Sequence, residues 1–181
     1  AGIVEKVGKD VMTLKQGDRV ALEPGCACGK CEYCKTGRYN LCPDVRFFAA
    51  PPVRGTLQEY VAHPADMCFK LPENVSTLEG ALVEPLTVGL HATSLGSVSL
   101  GQSIVILGAG CIGLVTLLSA KARGAAQIVV VDMYEKRLEF AKQMGADYTI
   151  NAQKEDVLGQ IKKILEAGPD VGSEERRVGK E

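Results

Sequence analysis

The chain has 181 residues, 46% of them hydrophobic, and its 21 basic and 22 acidic side chains leave a formal net charge of −1. With a mean hydropathy of +0.05 it is an ordinary globular composition, large enough for one good core or two small ones. The interspersed charges give no electrostatic footprint for nucleic acid, and no apolar run reaches the roughly 20 residues of a membrane-spanning helix, so neither is expected as a partner and a cytoplasmic location is expected.

Ala1-Gly-Ile-Val opens without an initiator methionine and already in a strand-like pattern, so the chain reads as an internal fragment of a longer protein. Strands are expected over Ile3–Val7, Asp18–Leu22, Leu57–Val61 and Met67–Leu71, with Gly8 and Gly17-Asp18 as turn signals. Together they predict a small β domain. Between the second and third of these strands, the stretch from Pro24 to Pro52 has no periodicity of either kind and holds five of the seven cysteines. A lobe of that composition needs a staple. Cys28-x2-Cys31-x2-Cys34-x7-Cys42 offers four thiolates close together, the ligand count of a closed structural zinc site. The start of the run also resembles that of a bacterial ferredoxin, but the last interval is x7 rather than x3 and the set occurs once, which favours zinc over an iron–sulfur cluster. Cys26 is left outside the filled set, and Cys68 and Cys111 are expected as small apolar side chains.

Ser76 and Glu79 form a capping box ahead of Gly80–Ala92, an apolar segment of helical period that should link two domains. Pro85 should interrupt that helix, and Glu84 stands at the break as a lone carboxylate among apolar neighbours, in need of a partner. His63 and His91 are read as structural.

The second half opens on Ile104-Val-Ile-Leu107, a continuous apolar run of the kind that forms a parallel strand buried on both faces. It runs into Gly108, Gly110 and Gly113 in the order G-x-G-x-x-G. The first glycine permits a tight turn, the second lets a pyrophosphate approach the backbone, and the third lets the following helix pack close. Val115, Leu118 and Ala122 keep helical spacing, Gly124 ends the helix, and a second apolar strand closes on Asp132, 19 residues after Gly113. A carboxylate there accepts ribose hydroxyls and repels the 2′-phosphate of NADP, so the cofactor reading is NAD. A further helix (Leu138, Ala141, Met144), a strand at Asp147–Ile150 and a helix at Val157–Leu165 complete three strands of a doubly wound α/β sheet. Pro169-Asp-Val171 starts like a fourth, but the sequence turns charged from Gly172.

These motifs resemble the zinc-containing medium-chain dehydrogenase/reductases, in particular the sorbitol (L-iditol 2-) dehydrogenase branch of polyol dehydrogenases. The resemblance runs from Ala1 to about Val171 and rests on Gly17–Pro24, the four-cysteine set, Gly37–Pro43, Phe47–Pro52, Gly55–Tyr60, Gly80–Leu86 and Gly108–Gly113. It implies a partial GroES-like domain over 1–78 with its zinc lobe at 25–43, a linking helix region over 79–100, and the first half of a Rossmann domain over 101–171. Ser173–Glu181 looks instead like a translated sequencing adapter, and 172–181 is set aside as an artefact.

Residue by residue, the resemblance implies that Cys28, Cys31, Cys34 and Cys42 hold a structural zinc. Ile112, Asp132 and Arg137 would contact NAD, and Glu84 would lie at a catalytic zinc and orient the substrate oxygen. The activity implied is hydride transfer from a secondary alcohol of a sorbitol, L-iditol or xylitol type polyol to NAD, in a homo-oligomer. Other ligands of the family's catalytic zinc match positions before Ala1, so the chain by itself is expected to be inactive. Threonine 3-dehydrogenase and general zinc alcohol dehydrogenase share most of these motifs. A non-enzymatic zinc module on nucleic acid would leave the glycine turn without a purpose and offers only Lys30, Lys35, Arg38 and Arg46 in the lobe.

Overall fold

In the computed structural model the structure describes residues 1–174, which divide into two compact units, Ala1–Glu84 and the chain from Pro85 onward.

The first unit is built on a three-stranded antiparallel sheet, β1 (Gly2–Ile3), β2 (Arg19–Leu22) and β5 (Cys68–Lys70), in the order β1-β2-β5. Val20 and Ala21 of the central strand are buried, and β2 meets β5 with Val20 opposite Lys70 and Leu22 opposite Cys68. A two-stranded antiparallel pair, β3 (Gly25–Cys26) and β4 (Arg46–Phe47), closes the base of the cysteine lobe, which carries the short helix α1 (Glu32–Lys35). The Arg19 guanidinium donates to the carbonyls of Val75 at 2.6 Å, Glu73 at 3.0 Å and Pro72 at 3.1 Å, tying the sheet to the turn that precedes α2 (Thr77–Ala81).

Two expected strands are shorter or absent. Of Ile3–Val7 only Ile3 is paired in a ladder, and Leu57–Val61 runs without strand pairing, with Leu57 and Tyr60 exposed. Residues of both segments line an open cavity of about 650 Å³, together with Val11, Leu14, Val20 and Leu22. Alternating apolar residues favour a strand only where a neighbouring backbone supplies the ladder, and neither segment finds one among the described residues.

The capping box forms as expected: Glu79 N–H donates to Ser76 Oγ at 3.2 Å, and Ser76 N–H donates to the Glu79 carboxylate at 2.7 Å. The helix then breaks at Leu82 rather than at the proline, and α3 (Val83–Leu95) begins afresh. Pro85 is the third residue of α3, where an N–H would have no intrahelical acceptor, so the ring is accommodated in the first turn.

The second unit holds four parallel strands, β6 (Ser103–Leu107), β7 (Gln127–Asp132), β8 (Tyr148–Asn151) and β9 (Val171–Glu174), in the order β8-β7-β6-β9. The helices α4 (Cys111–Ala122), α5 (Glu135–Gln143) and α6 (Val157–Ile164) alternate with them. Side chains alternate across the sheet as strand geometry requires. Ile104, Ile106, Ile128 and Val130 pack with Leu117 and Ala120 of α4 and Ala141 of α5, whereas Val105, Val129, Val131 and Ile150 pack with Leu165 and with Val157, Ile161 and Ile164 of α6. Each fully buried aliphatic chain contributes about 1.5–3 kcal/mol.

A fourth strand, where three were expected, is a correction to the sequence reading. Val171 stands opposite Ile104 and Glu174 opposite Leu107. Pairing is made by backbone groups, so the polar Ser173 and Glu174 do not prevent it, and Val171 and Ser173 face inward while Gly172 and Glu174 face out. Ser103 N–H and Oγ–H both donate to the Asp170 carboxylate at 2.8 Å and set the register. The remainder of the segment read as adapter, 175–181, lies outside the described residues.

Candidate metal lobe and dinucleotide-binding turn

Cys28 follows β3, Cys31 caps α1, and Cys34, three residues on, returns to the same face one helical turn later. A single 3₁₀ turn over Tyr39–Leu41 then delivers Cys42, which is buried. The four sulfurs lie within 4.8 Å of one another, with Cys31 and Cys34 Sγ 3.4 Å apart and Cys28 and Cys34 Sγ 3.9 Å apart. A tetrahedral zinc with Zn–S distances near 2.3 Å separates its sulfurs by about 3.8 Å, so the donor set fits a metal of that kind. All seven cysteines are free thiols.

The electrostatics of the set are uneven. The Lys30 and Cys31 backbone N–H groups lower Cys28 to about 6, whereas burial and then hydrogen bonding to Cys31 push Cys34 up to about 12. Without a cation, thiolates crowded this closely repel one another, and a bound dication is the group that would let all four ionise.

The other cysteines stand apart. Cys26 Sγ is 3.7 Å from His63 Nδ1, and His63 Nε2 is 3.0 Å from the Glu23 carbonyl, with the imidazole packed on Phe48 at 5.0 Å. Cys68 Sγ–H donates to the Pro64 carbonyl at 3.3 Å. Cys111 is exposed at the start of α4, not packed away as the sequence suggested.

The glycine turn follows β6. Gly108 has φ +105°, a conformation that L side chains rarely adopt, and its N–H donates to the Val131 carbonyl at 2.7 Å. A Cβ on Gly113 would collide with the Gly108 carbonyl oxygen, which is the close helix–strand approach the third glycine permits, while a Cβ on Gly110 would enter open space, as a cradle for phosphate requires. Gly110 caps α4 and Ile112 is half-buried in its first turn. Asp132 ends β7 with 9% of its surface exposed. Its Oδ2 accepts the Ala109 N–H at 2.8 Å and its Oδ1 accepts the Tyr134 N–H at 2.9 Å, so the carboxylate bridges the glycine turn and the start of α5. Burial pushes Asp132 up, but the N–H groups of Ala109, Tyr134 and Met133 with the Arg137 charge outweigh it, and the carboxyl is held below its usual value. Arg137 Nη1 stands 3.7 Å from Asp132 Oδ2, and the Arg137 Cζ lies 4.9 Å from the centre of the Tyr134 ring.

Comparison with known proteins agrees with both halves of this arrangement. The alcohol dehydrogenase GroES-like domain matches residues 1–73, and the zinc-binding dehydrogenase domain matches residues 111–174. The chain belongs to the zinc-binding dehydrogenase family. Among its relatives in that family, the sorbitol dehydrogenase of Arabidopsis thaliana is 53% identical over 169 residues, covering 92% of this chain and 46% of the relative. The L-idonate 5-dehydrogenase of Vitis vinifera is 47% identical over 176 residues, covering 94% and 48%. A crystal structure of an Escherichia coli oxidoreductase/dehydrogenase of unknown specificity superimposes with a TM-score of 0.89 at 51% identity, covering 92% of this chain and 48% of that one. The chain thus spans about half the length of the curated relatives it matches.

For this zinc-binding dehydrogenase chain, the structure brings the four cysteines together in one unit, and Gly108, Gly110, Gly113, Ile112, Asp132 and Arg137 together at one end of the parallel sheet in the other. Glu84 joins neither group: it is exposed in the first turn of α3, a correction to the expected carboxylate among apolar neighbours. Among the described residues the four cysteines are the only set of three or more metal-ligating side chains that converge. Tyr134 was missed by the sequence reading. Its signal was an aromatic residue three before an arginine in the first turn of a helix that follows a strand-end carboxylate.

Proposed function

We propose that the chain carries the structural zinc lobe and the adenosine end of the cofactor site of an NAD-dependent zinc polyol dehydrogenase. The observation that carries this reading is the Asp132 carboxylate, which ends β7 and is hydrogen-bonded to the backbone of the glycine turn. That juxtaposition suits a pyrophosphate on the α4 N-terminus and a ribose diol on the carboxylate. Zinc on Cys28, Cys31, Cys34 and Cys42 would cross-link the lobe, and four thiolates leave no coordination position for substrate. Bound NAD would supply the hydride acceptor: the polyol carbon would lose hydride to it and the hydroxyl would lose its proton to solvent, giving a ketose, NADH and a proton. Ile112 and Arg137 are assigned to the cofactor, and Glu84 to the orientation of the reacting oxygen.

The sorbitol dehydrogenase name of the Arabidopsis relative supports a sorbitol, L-iditol or xylitol type substrate. The grape relative's name adds L-idonate as the second substrate to test. The remainder of the reading is a homo-oligomer in the cytoplasm, where a reducing compartment suits four cysteines kept for zinc and three more outside any disulfide. Its domains are a GroES-like part over 1–78, a link over 79–100 and a Rossmann part over 101–171. The decisive experiment measures NADH formation with sorbitol, xylitol, L-idonate, threonine and ethanol, using residues 1–171 set within a polypeptide of the relatives' length. Sorbitol or xylitol should lead in kcat/KM. Threonine or ethanol ahead by orders of magnitude overturns the polyol assignment.

A further inference from the structure

Tyr134 does more at the cofactor end than cap a helix. Tyr134 is the extended residue just before α5 and Arg137 stands three residues on in its first turn, and the two side chains meet. The guanidinium carbon sits 4.9 Å from the ring centre, and in that pose a terminal nitrogen reaches within 3.7 Å of Asp132 Oδ2. The Arg137 side chain is 54% exposed, so burial does not hold it there. The aromatic face and the carboxylate hold it.

This pose matters for the choice between NAD and NADP. A 2′-phosphate on the adenosine ribose would arrive beside Asp132 with a charge of about −1.5 to −2. Asp132 repels it, and the group able to compensate is a guanidinium free to make paired hydrogen bonds to phosphate oxygens. An arginine stacked on Tyr134 and directed at Asp132 is not free. We propose that Tyr134 is a specificity-determining residue: its ring holds the Arg137 guanidinium at Asp132 and so withholds it from a 2′-phosphate. This rests on the NAD reading above and adds to it a residue that acts through another.

The test titrates the 181-residue chain by calorimetry with ADP-ribose and with 2′-phospho-ADP-ribose, which need only the adenosine end. Tyr134→Leu should shift the affinity ratio toward the phosphorylated probe by about two- to five-fold, the size of an exposed cation–π contact. Tyr134→Phe should keep the parent ratio, because the ring alone is required. Adding Arg137→Gln to Tyr134→Leu should abolish the shift. Independently of any ligand, the Arg137 side-chain proton resonances should move with loss of the ring current in Tyr134→Leu and hold in Tyr134→Phe. An unchanged ratio in Tyr134→Leu, or a shift that survives the loss of Arg137, overturns the proposal while leaving the cofactor reading intact. A parent chain that binds neither probe, or Asp132→Ser binding both as the parent does, overturns the cofactor reading and this inference with it.

Discussion

Asp132 shows how much depends on one carboxylate. With both oxygens accepting backbone N–H groups, it holds the glycine turn to the start of α5, and Asp132→Ala would leave the Ala109 and Tyr134 donors without that acceptor. A loss of about 1–3 kcal/mol is expected for a buried group so orphaned, readable in urea unfolding. The pH dependence follows from the same bonds. The folded-state value of Asp132 is depressed below the unfolded value of about 3.9, so the stabilisation it supplies is complete above that pH and is lost as pH falls through the folded value. Between pH 6 and pH 3 the parent should therefore lose more stability than Asp132→Asn, which has no charge to lose. Equal slopes in the two proteins would show that the carboxylate is not held in its ionised form by the fold.

Two elements are decided by close contacts that allow direct tests. In the turn from β6 to α4, a side chain at Gly113 meets the Gly108 carbonyl oxygen, which cannot retreat because Gly108 is itself tied to Val131. Gly113→Ala should cost at least about 1–3 kcal/mol, as overpacking does, and weaken ADP-ribose binding in parallel. A variant as stable as the parent would mean that α4 does not approach β6 this closely. In the lobe, α1 has only four residues and no buried side chain, so neither helix propensity nor packing holds it. Metal analysis should find one zinc per chain, and Cys31→Ser should lower that stoichiometry and expose the lobe to proteolysis between Gly25 and Pro43. An iron–sulfur absorption band, or paired disulfides with no metal, would contradict the lobe's assignment.

At the scale of the whole molecule, each unit has its own buried residues: Leu14, Val20 and Ala21 in the first, and the two clusters on either face of the parallel sheet in the second. Chelation of zinc is therefore expected to increase amide hydrogen exchange in the first unit and leave β6, β7 and β8 protected, whereas Gly113→Ala should do the reverse. Exchange that rises throughout the chain on chelation would show one cooperative body.

Short spacings carried most of what was legible in the sequence. The four-cysteine interval, the G-x-G-x-x-G turn, the strand-end Asp132 and the Ser76–Glu79 capping box are local patterns whose geometry follows from helix, turn and strand periodicity, and each is present where its spacing placed it. Tertiary structure decided what depends on a distant partner. Leu57–Val61 has strand composition but no ladder, and Val171–Glu174 has poor strand composition but lies against β6, whose backbone donors and acceptors take it as a partner. Glu84 looked apolar-surrounded along the chain but is exposed, as Ala81, Leu82 and Val83 before it are, because apolar neighbours in sequence bury a carboxylate only where another element packs over them. The Tyr134 ring becomes part of the cofactor end only when α5 begins immediately behind Asp132, a relation of side-chain directions that residue order alone does not contain.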